Sequence, residues 1–409
     1  MATILNMPEL RPAVLLDFAN SGQVDPRISF TRASAATRWN AAGVRETVPA
    51  GVPRIDYDPA TGKCLGLLVE GDRTNLVRRS NEFSHADWVQ SALVGIGAPD
   101  ANLMTKLVAT TENRTHELYS ATSSIGFADE TLLTISVEAK ADGANFFWLR
   151  CVNKAGSFPS ATFNLLTGAA SLRGAISASM RSLGGGVYRC SATFNLGAGA
   201  SGSAGRTVLA LASGEGAGAE VFAGDGVSGV WFRNVQTEVG AFASSYIPTV
   251  SAAATRAADS VTLQLSSPVS AGALVVAATP NGWSGADARF VSLTDGTTAN
   301  CVALHLSPNG NGSIASVVTA AGNFQYGPAE SAILPLRRLS RALTWGQASA
   351  RVATNGVLAA PSGAITLPAP MNRLDIGNRL NTQFFSGHIE RCALYAARIT
   401  DSQLQRITA

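Results

Sequence analysis

Between residues 81 and 250 the chain is cut into short apolar runs by glycine-rich loops, and such interruption leaves no room for long helices. Within 132–140, the series Leu133-Thr-Ile-Ser-Val-Glu-Ala-Lys140 alternates apolar and polar residues, the period of a half-buried strand. The stretches 145–152, 161–165, 187–195, 206–212 and 229–239 read as further strands, with loops at 197–205 and 213–218. This spacing favours a jelly-roll or related sandwich.

Residues 260–409 read as a second sandwich, with strands expected at 273–279, 290–293, 301–307, 341–345, 348–354, 373–376 and 387–395. The one convincing helix is 399–408, where Thr400 and Gln403 form a capping box and Asp401 suits the helix N-terminus. Residues 1–80 hold short strand candidates at 15–18 and 28–31 among many turn formers. Such a segment buries little by itself, so it is expected to lie along another domain or subunit and to serve attachment. The expected fold class is therefore all-β, with two tandem β-sandwiches of jelly-roll type preceded by an irregular N-terminal anchoring segment. The expected boundaries are 1–80, 81–259 and 260–409, with 246–259 as a connector.

A length of 409 residues suits two or three domains. Charged residues are 14% of the chain, so its polarity rests on Ser, Thr, Asn and Gly. A net charge of +3, spread without a basic block, gives no reason to expect a nucleic-acid partner. The five cysteines are odd in number and show no metal-binding spacing, which favours buried free thiols. Cys151 and Cys190 are candidates for neighbours in one sheet. The first residues lack the features of an export signal, and no apolar window is long enough to span a membrane. The expectation is synthesis in a bacterial cytoplasm.

Three segments carry a resemblance. The first runs from Phe30-Thr-Arg-Ala-Ser34 through Pro53-Arg-Ile-Asp-Tyr-Asp58 and Leu65-Gly-Leu-Leu-Val-Glu70 to Arg73-Thr-Asn-Leu76. The second joins Val235-Gln-Thr-Glu-Val-Gly240, Ser245-Tyr-Ile-Pro-Thr249 and Thr255-Arg-Ala-Ala-Asp259, whose Thr-Arg-Ala echoes Thr31-Arg32-Ala33. The third joins Leu374-Asp-Ile-Gly377 and Phe385-Ser-Gly-His-Ile389 to Leu394-Tyr395. Together they resemble spike and fibre proteins of tailed phages, prophages or phage-like particles. The bracketed domain is similar to carbohydrate-binding jelly-rolls, and the end of the chain resembles laminin-G or concanavalin-A-like lectin domains. The resemblance implies a virion-surface protein, placed as a head spike, head fibre, tail spike or tail fibre. Its implied partners are bacterial surface polysaccharide, other virion proteins and copies of itself, as a trimer or as a pentamer at capsid vertices. It transfers no catalytic residue.

Catalytic patterns are absent from the sequence. The four histidines lie far apart, and Gly224-Asp-Gly-Val-Ser-Gly229 precedes a strand rather than the helix a nucleotide site needs. The local carboxylate pairs Asp56–Asp58, Glu70–Asp72 and Asp129–Glu130 sit in expected turns, and no β-helix repeat is visible. A non-enzymatic role follows, with a capsule-degrading tailspike and a purely architectural particle protein as competitors. Sugar binding needs aromatic faces beside fixed polar groups. The candidates are Trp148 with Arg150, Tyr188 with Arg189, and Trp231 with Arg233 and Gln236. The competing reading has these tryptophans filling the sandwich core. In the last domain, Trp283, Asp287, Asp295, Asn300, Tyr326, Asn378 and Arg379 are candidates for a loop-end site. Lectin-like domains often place ligands there, with Asp287 or Asp295 as ligands of Ca2+.

Overall fold

The computed structural model describes residues 11–91, 94–121, 126–308, 313–330 and 337–409. The protein is all-β, and its described helices are Phe18–Ser21 and Asp401–Thr408. Two compact units are present. One comprises the residues up to Asp58, Gly62–Asp72 and Ala257–Ala409. The other comprises Pro59–Thr61 and Arg73–Arg256. The sandwiches are therefore not in tandem, because the second unit is inserted within the first.

In the first unit, one sheet orders Val357–Leu358, Ser349–Thr354, Leu339–Gly346, Gly272–Pro280, Gly387–Tyr395, Cys64–Val69 and Arg54–Tyr57. Val14–Asp17 also pairs with Gly387–Tyr395, in the register Val14 to Leu394. The facing sheet orders Ile28–Thr31, Ser260–Val269, Met371–Ile376, Ala288–Thr294, Cys301–Ser307, Ser313–Ala320 and Asn323–Tyr326. Alternate residues such as Leu274, Val276, Leu293, Val302, Leu304 and Leu374 meet between the sheets, as period-two burial requires. The terminal helix packs Leu404 and Ile407 on Ala273, Val275 and Ala393, on the sheet's other face. Its Thr400–Gln403 capping box is formed, and the helix starts at Asp401.

The N-terminal segment thus departs from the expectation of an irregular anchor. Four of its strands, Val14–Asp17, Ile28–Thr31, Arg54–Tyr57 and Cys64–Val69, complete the two sheets of the first unit. The strands expected near 15–18 and 28–31 find partners more than 200 positions away, while Arg54–Tyr57 and Cys64–Val69, hidden among turn formers, pair with each other.

In the second unit, one sheet orders Ser177–Gly184, Val187–Asn195, Leu132–Asp142, Gly229–Val239, Thr105–Ala109 and Val94–Ile96. The other orders Ala169–Arg173, Ser160–Asn164, Phe146–Cys151, Thr207–Ala212, Arg114–Ser120 and Val221–Phe222. Phe147, Leu149, Phe163, Phe194, Leu209 and Phe232 fill the space between them. Cys151 and Cys190 both enter this core from different sheets, so they are not neighbours in one sheet. All five cysteines are free thiols. Burial pushes Cys151 and Cys392 up to about 12, which leaves both unreactive at neutral pH.

The quoted sequence segments converge on buried polar clusters. In the first unit, the Asp259 carboxylate takes Arg32 Nη1 at 3.0 Å and Arg54 Nη2 at 2.5 Å, and Arg54 also reaches Glu70 at 2.9 Å. Asp56 takes the Trp39 amide at 2.7 Å and His388 Nε2 at 2.8 Å. In the second unit, Asn75 Nδ2 donates to the carbonyls of Val235 and Ile247, while its Oδ1 accepts the amides of Val77 and Thr237. These residues hold distant strands together. The carboxylates of Asp56 and Glu70 serve the fold and are not open to a substrate.

Candidate functional site

Strand Phe146–Cys151 divides its side chains between two faces. Phe147, Leu149 and Cys151 enter the core, and Phe146, Trp148 and Arg150 occupy the outer face of the sheet. Trp148 lies in register between Ala210 and Thr162, and Arg150 between Val208 and Ser160. These small neighbours leave space around the two large ones. The result is an open groove of about 530 Å³ lined by Trp148, Arg150, Phe158, Ser160, Leu172, Arg173 and Glu220.

Trp148 is only 1% exposed, yet it is not part of the inter-sheet core. Its Nε1 donates to the Gly214 carbonyl at 3.4 Å, and the Arg173 guanidinium lies 4.4 Å from its ring centroid. Arg173 in turn donates to the Glu215 carbonyl at 2.9 Å. Trp148 is therefore a buried floor beneath an arginine, neither an open platform nor core filler. The exposed apolar surface belongs to Phe158, at 51%, and Leu172, at 53%.

Arg150 sits between these features. Its Nη1 pairs with Glu117, and its guanidinium lies 5.6 Å from the Phe158 ring centroid. Arg150 Nε is sheltered from solvent and has no hydrogen-bond partner, and the same holds for Glu220 Oε2. A sheltered donor and a sheltered acceptor in one groove suit a ligand that offers both functions, as a hydroxyl does.

Of the sequence candidates, only Trp148 and Arg150 meet here. Trp231 and Arg233 lie on the outer face of the opposite sheet of the same unit. Trp231 Nε1 donates to Asp142 at 3.0 Å, and Asp142 also takes Lys106 at 2.7 Å. Arg233 pairs with Glu138 at 2.7 Å. Tyr188 is half-buried and packs at the core edge. Gln236 is fully buried, accepting the Ile247 amide and donating to Glu238, both at 2.7 Å. That position corrects its reading as a sugar contact, because no ligand reaches it.

The first-unit candidates are scattered. Trp283 Nε1 donates to the Ala286 carbonyl at 2.8 Å, and the Tyr326 hydroxyl to the Ala360 carbonyl at 2.5 Å. Asn300 links Asp295 to the Ala321 amide, and Asn378 Nδ2 bonds the Ile376 carbonyl. Partial burial opposes ionisation of Asp295, but hydrogen bonds from Thr297 and Asn300 outweigh it and lower the pKa. Asp287 takes Arg289 at 3.2 Å and Gln383 at 3.1 Å. Both carboxylates accept hydrogen bonds from the chain itself, Asp295 from Thr297 and Asn300 and Asp287 from Arg289 and Gln383. Among the described residues, no group of three His, Cys, Asp or Glu side chains is placed to hold a metal ion.

Phe158, Arg173 and Glu220 were not among the sequence candidates. Each comes from a loop or an edge strand, where no periodicity marks the residue that turns inward.

No family model and no curated protein matches the chain. Among solved structures, it is similar to the CBM40 domain of the Ruminococcus gnavus IT-sialidase, with TM-score 0.30 and 18% identity over 35% of this chain and 84% of that one. It is also similar to domain 4 of AbnA, an extracellular arabinanase of Geobacillus stearothermophilus, in complex with arabinotriose. That match has TM-score 0.30 and 14% identity over 37% of this chain and 73% of that one. Mouse laminin α1 domains LG4-5 match with TM-score 0.24 and 8% identity, over 74% of this chain and 90% of that one.

Proposed function

We propose that this protein is a non-catalytic glycan-binding protein whose ligand lies in the Trp148 groove of the second unit. One observation carries the reading. Exposed Phe158 lines one groove with two sheltered, unpartnered polar atoms, Arg150 Nε and Glu220 Oε2, and with the buried Trp148. A pyranose presents an apolar C–H face to an aromatic ring and hydroxyls that both donate and accept. The open groove suits a chain of residues better than a single enclosed sugar. Glycan-array screening followed by calorimetry tests this, using Phe158→Ala and Glu220→Gln. Loss of binding in both variants with folding intact supports the groove. Wild-type affinity in both removes it.

The setting we propose is the surface of a phage or phage-like particle, with polysaccharide of a bacterial envelope as the ligand. The support is the sequence resemblance of the segments around Arg32, Arg54, Glu70 and Asp259. Weak single-site affinity would then be raised by several copies acting together, as a trimer or a vertex pentamer. Linked sites gain roughly 10²–10⁴ in apparent affinity without a new contact. Adsorption of particles with and without this protein to encapsulated cells tests the setting. Equal adsorption leaves an architectural role instead.

A further inference from the structure

A second polar cluster lies in the first unit, on the outer face of the strands Ala288–Thr294 and Cys301–Ser307. Val302, Leu304 and Leu306 point into the core, so Cys301, Ala303 and His305 occupy the opposite face. Arg289 pairs in register with His305, and Ser292 with Ala303. Arg379 enters from the loop after Met371–Ile376, where its amide and carbonyl exchange hydrogen bonds with Thr382 at 2.9 Å. The same loop lies against Arg289, whose amide donates to the Gln383 carbonyl at 2.9 Å.

The donors here exceed the acceptors. Arg289 is 4% exposed. Its Nε donates to Gln383 Oε1 at 3.0 Å and its Nη2 to Asp287 Oδ2 at 3.2 Å, while Nη1 has no partner. His305 is 7% exposed, and its Nδ1 has none. Arg379 Nε and Ser292 Oγ are likewise sheltered and unpartnered. The nearby Asp375 carboxylate is committed elsewhere, to Arg373 at 2.9 Å, Thr262 at 2.8 Å and the Leu380 amide at 2.9 Å. Two guanidiniums therefore face one available carboxylate, that of Asp287. Arg289, the buried member, has Asp287 as its one carboxylate partner, and a further anion would also answer its unpartnered Nη1.

We propose that Arg289, Arg379 and His305 form a binding site for a small oxyanion, either a carboxylate or an inorganic phosphate. Guanidinium N–H groups match the oxygens of such an ion in geometry and charge. A cation is excluded on the same grounds, because both arginines would repel it. Burial, then the charges of Arg289, Arg341 and Arg379, lower the His305 pKa to about 2, so the ring is neutral and carries one N–H to offer. This site is independent of the Trp148 groove. Its half-exposed Arg379 marks the way in.

The test uses the full chain at fixed ionic strength in sodium chloride. Sodium phosphate and sodium glucuronate are titrated separately, with thermal unfolding and calorimetry as readouts. A saturable rise in the unfolding midpoint with one anion, at one ion per chain, is expected. A response to glucuronate alone identifies a sugar carboxylate, and a response to phosphate alone identifies a free inorganic ion. Arg379→Gln is expected to weaken binding at least tenfold and, by removing a like charge from Arg289, to unfold in chloride alone no earlier than wild type. The His305 ring resonances of the wild-type chain should move with the same saturation curve, a readout that needs no variant. No saturable effect of either anion, a still His305 ring, or an Arg379→Gln chain that binds as tightly as wild type would each overturn the site.

Discussion

Arg54 Nη2 lies 2.5 Å from Asp259 Oδ2 across 205 positions of sequence, with both side chains wholly out of solvent. Burial works against the Arg54 charge, but Asp259 and Glu70 outweigh it and raise its pKa. A buried ion pair of this kind is a weak net source of stability, yet removing one partner strands the other. Asp259→Asn leaves Arg32 and Arg54 short of a counter-charge. It should destabilise the first unit by about 3–5 kcal/mol. Denaturant unfolding followed by amide exchange measures this, with the loss expected in the first unit's strands. An unchanged midpoint would show that Glu70 alone suffices.

Trp148 and Phe158 should separate cleanly. Trp148→Ala empties the space under Arg173 and should lower the stability of the second unit by about 3–5 kcal/mol. Phe158→Ala removes exposed surface and should stay within about 0.5 kcal/mol of wild type. Only the second variant gives a clear binding result. A Phe158→Ala chain that unfolds early would make Phe158 structural.

His305 gives a pH dependence with a definite sign. Its ordinary pKa is 6.5, and burial with neighbouring arginines lowers it to about 2 in the folded chain. Above pH 6.5 neither state is protonated and the group is silent. Between 6.5 and 2 only the unfolded chain takes up the proton, so stability falls as pH falls. The limiting slope for one proton is about 1.4 kcal/mol per pH unit. His305→Gln should remove this component between pH 6 and pH 4 in urea midpoints of the first unit. Parallel curves for the two chains would contradict it.

Gly66 is a sharper probe of the sheet that joins the two ends of the first unit. Its φ is +101°, and a β-carbon there would run into the Ile389 carbonyl and sit 2.9 Å from Glu390 Cα. Gly66→Ala should therefore cost at least about 1 kcal/mol through backbone strain, before any loss of pairing. A melting curve identical to wild type would mean that this strand yields without consequence.

Much of the fold was legible in the sequence. Strands Val187–Asn195, Gly229–Val239, Cys301–Ser307 and Gly387–Tyr395 were read at their observed bounds, because apolar residues recur along them between clear turn signals. Arg54–Tyr57 and Cys64–Val69 were not read as strands. Arg54 and Asp56 look like surface residues until their partners Asp259 and His388 are in place. Ser260–Val269 and Ser313–Ala320 were missed because serine interrupts their apolar runs. At the groove, the i, i+2 spacing of Trp148 and Arg150 placed both on one face. Arg173, stacked on the indole, belongs to an edge strand with no such mark.

The insertion of the second unit dictates an order of events during synthesis. Val14–Asp17 needs Gly387–Tyr395 as its partner, and Arg32 and Arg54 need Asp259. Ile28–Thr31 must therefore wait, unpaired, for residues 260–269, and Val14–Asp17 for residues 387–395. The second unit has all its strands by Arg256 and can close while the first is still open. Domains generally fold as units, and contacts between distant segments form slowly. A chain stalled between residues 300 and 380, with all of the second unit clear of the ribosome, would then hold one finished sandwich and exposed sheet edges of the other. Pulse proteolysis of such stalled chains should release the second unit intact and digest the waiting strands on either side.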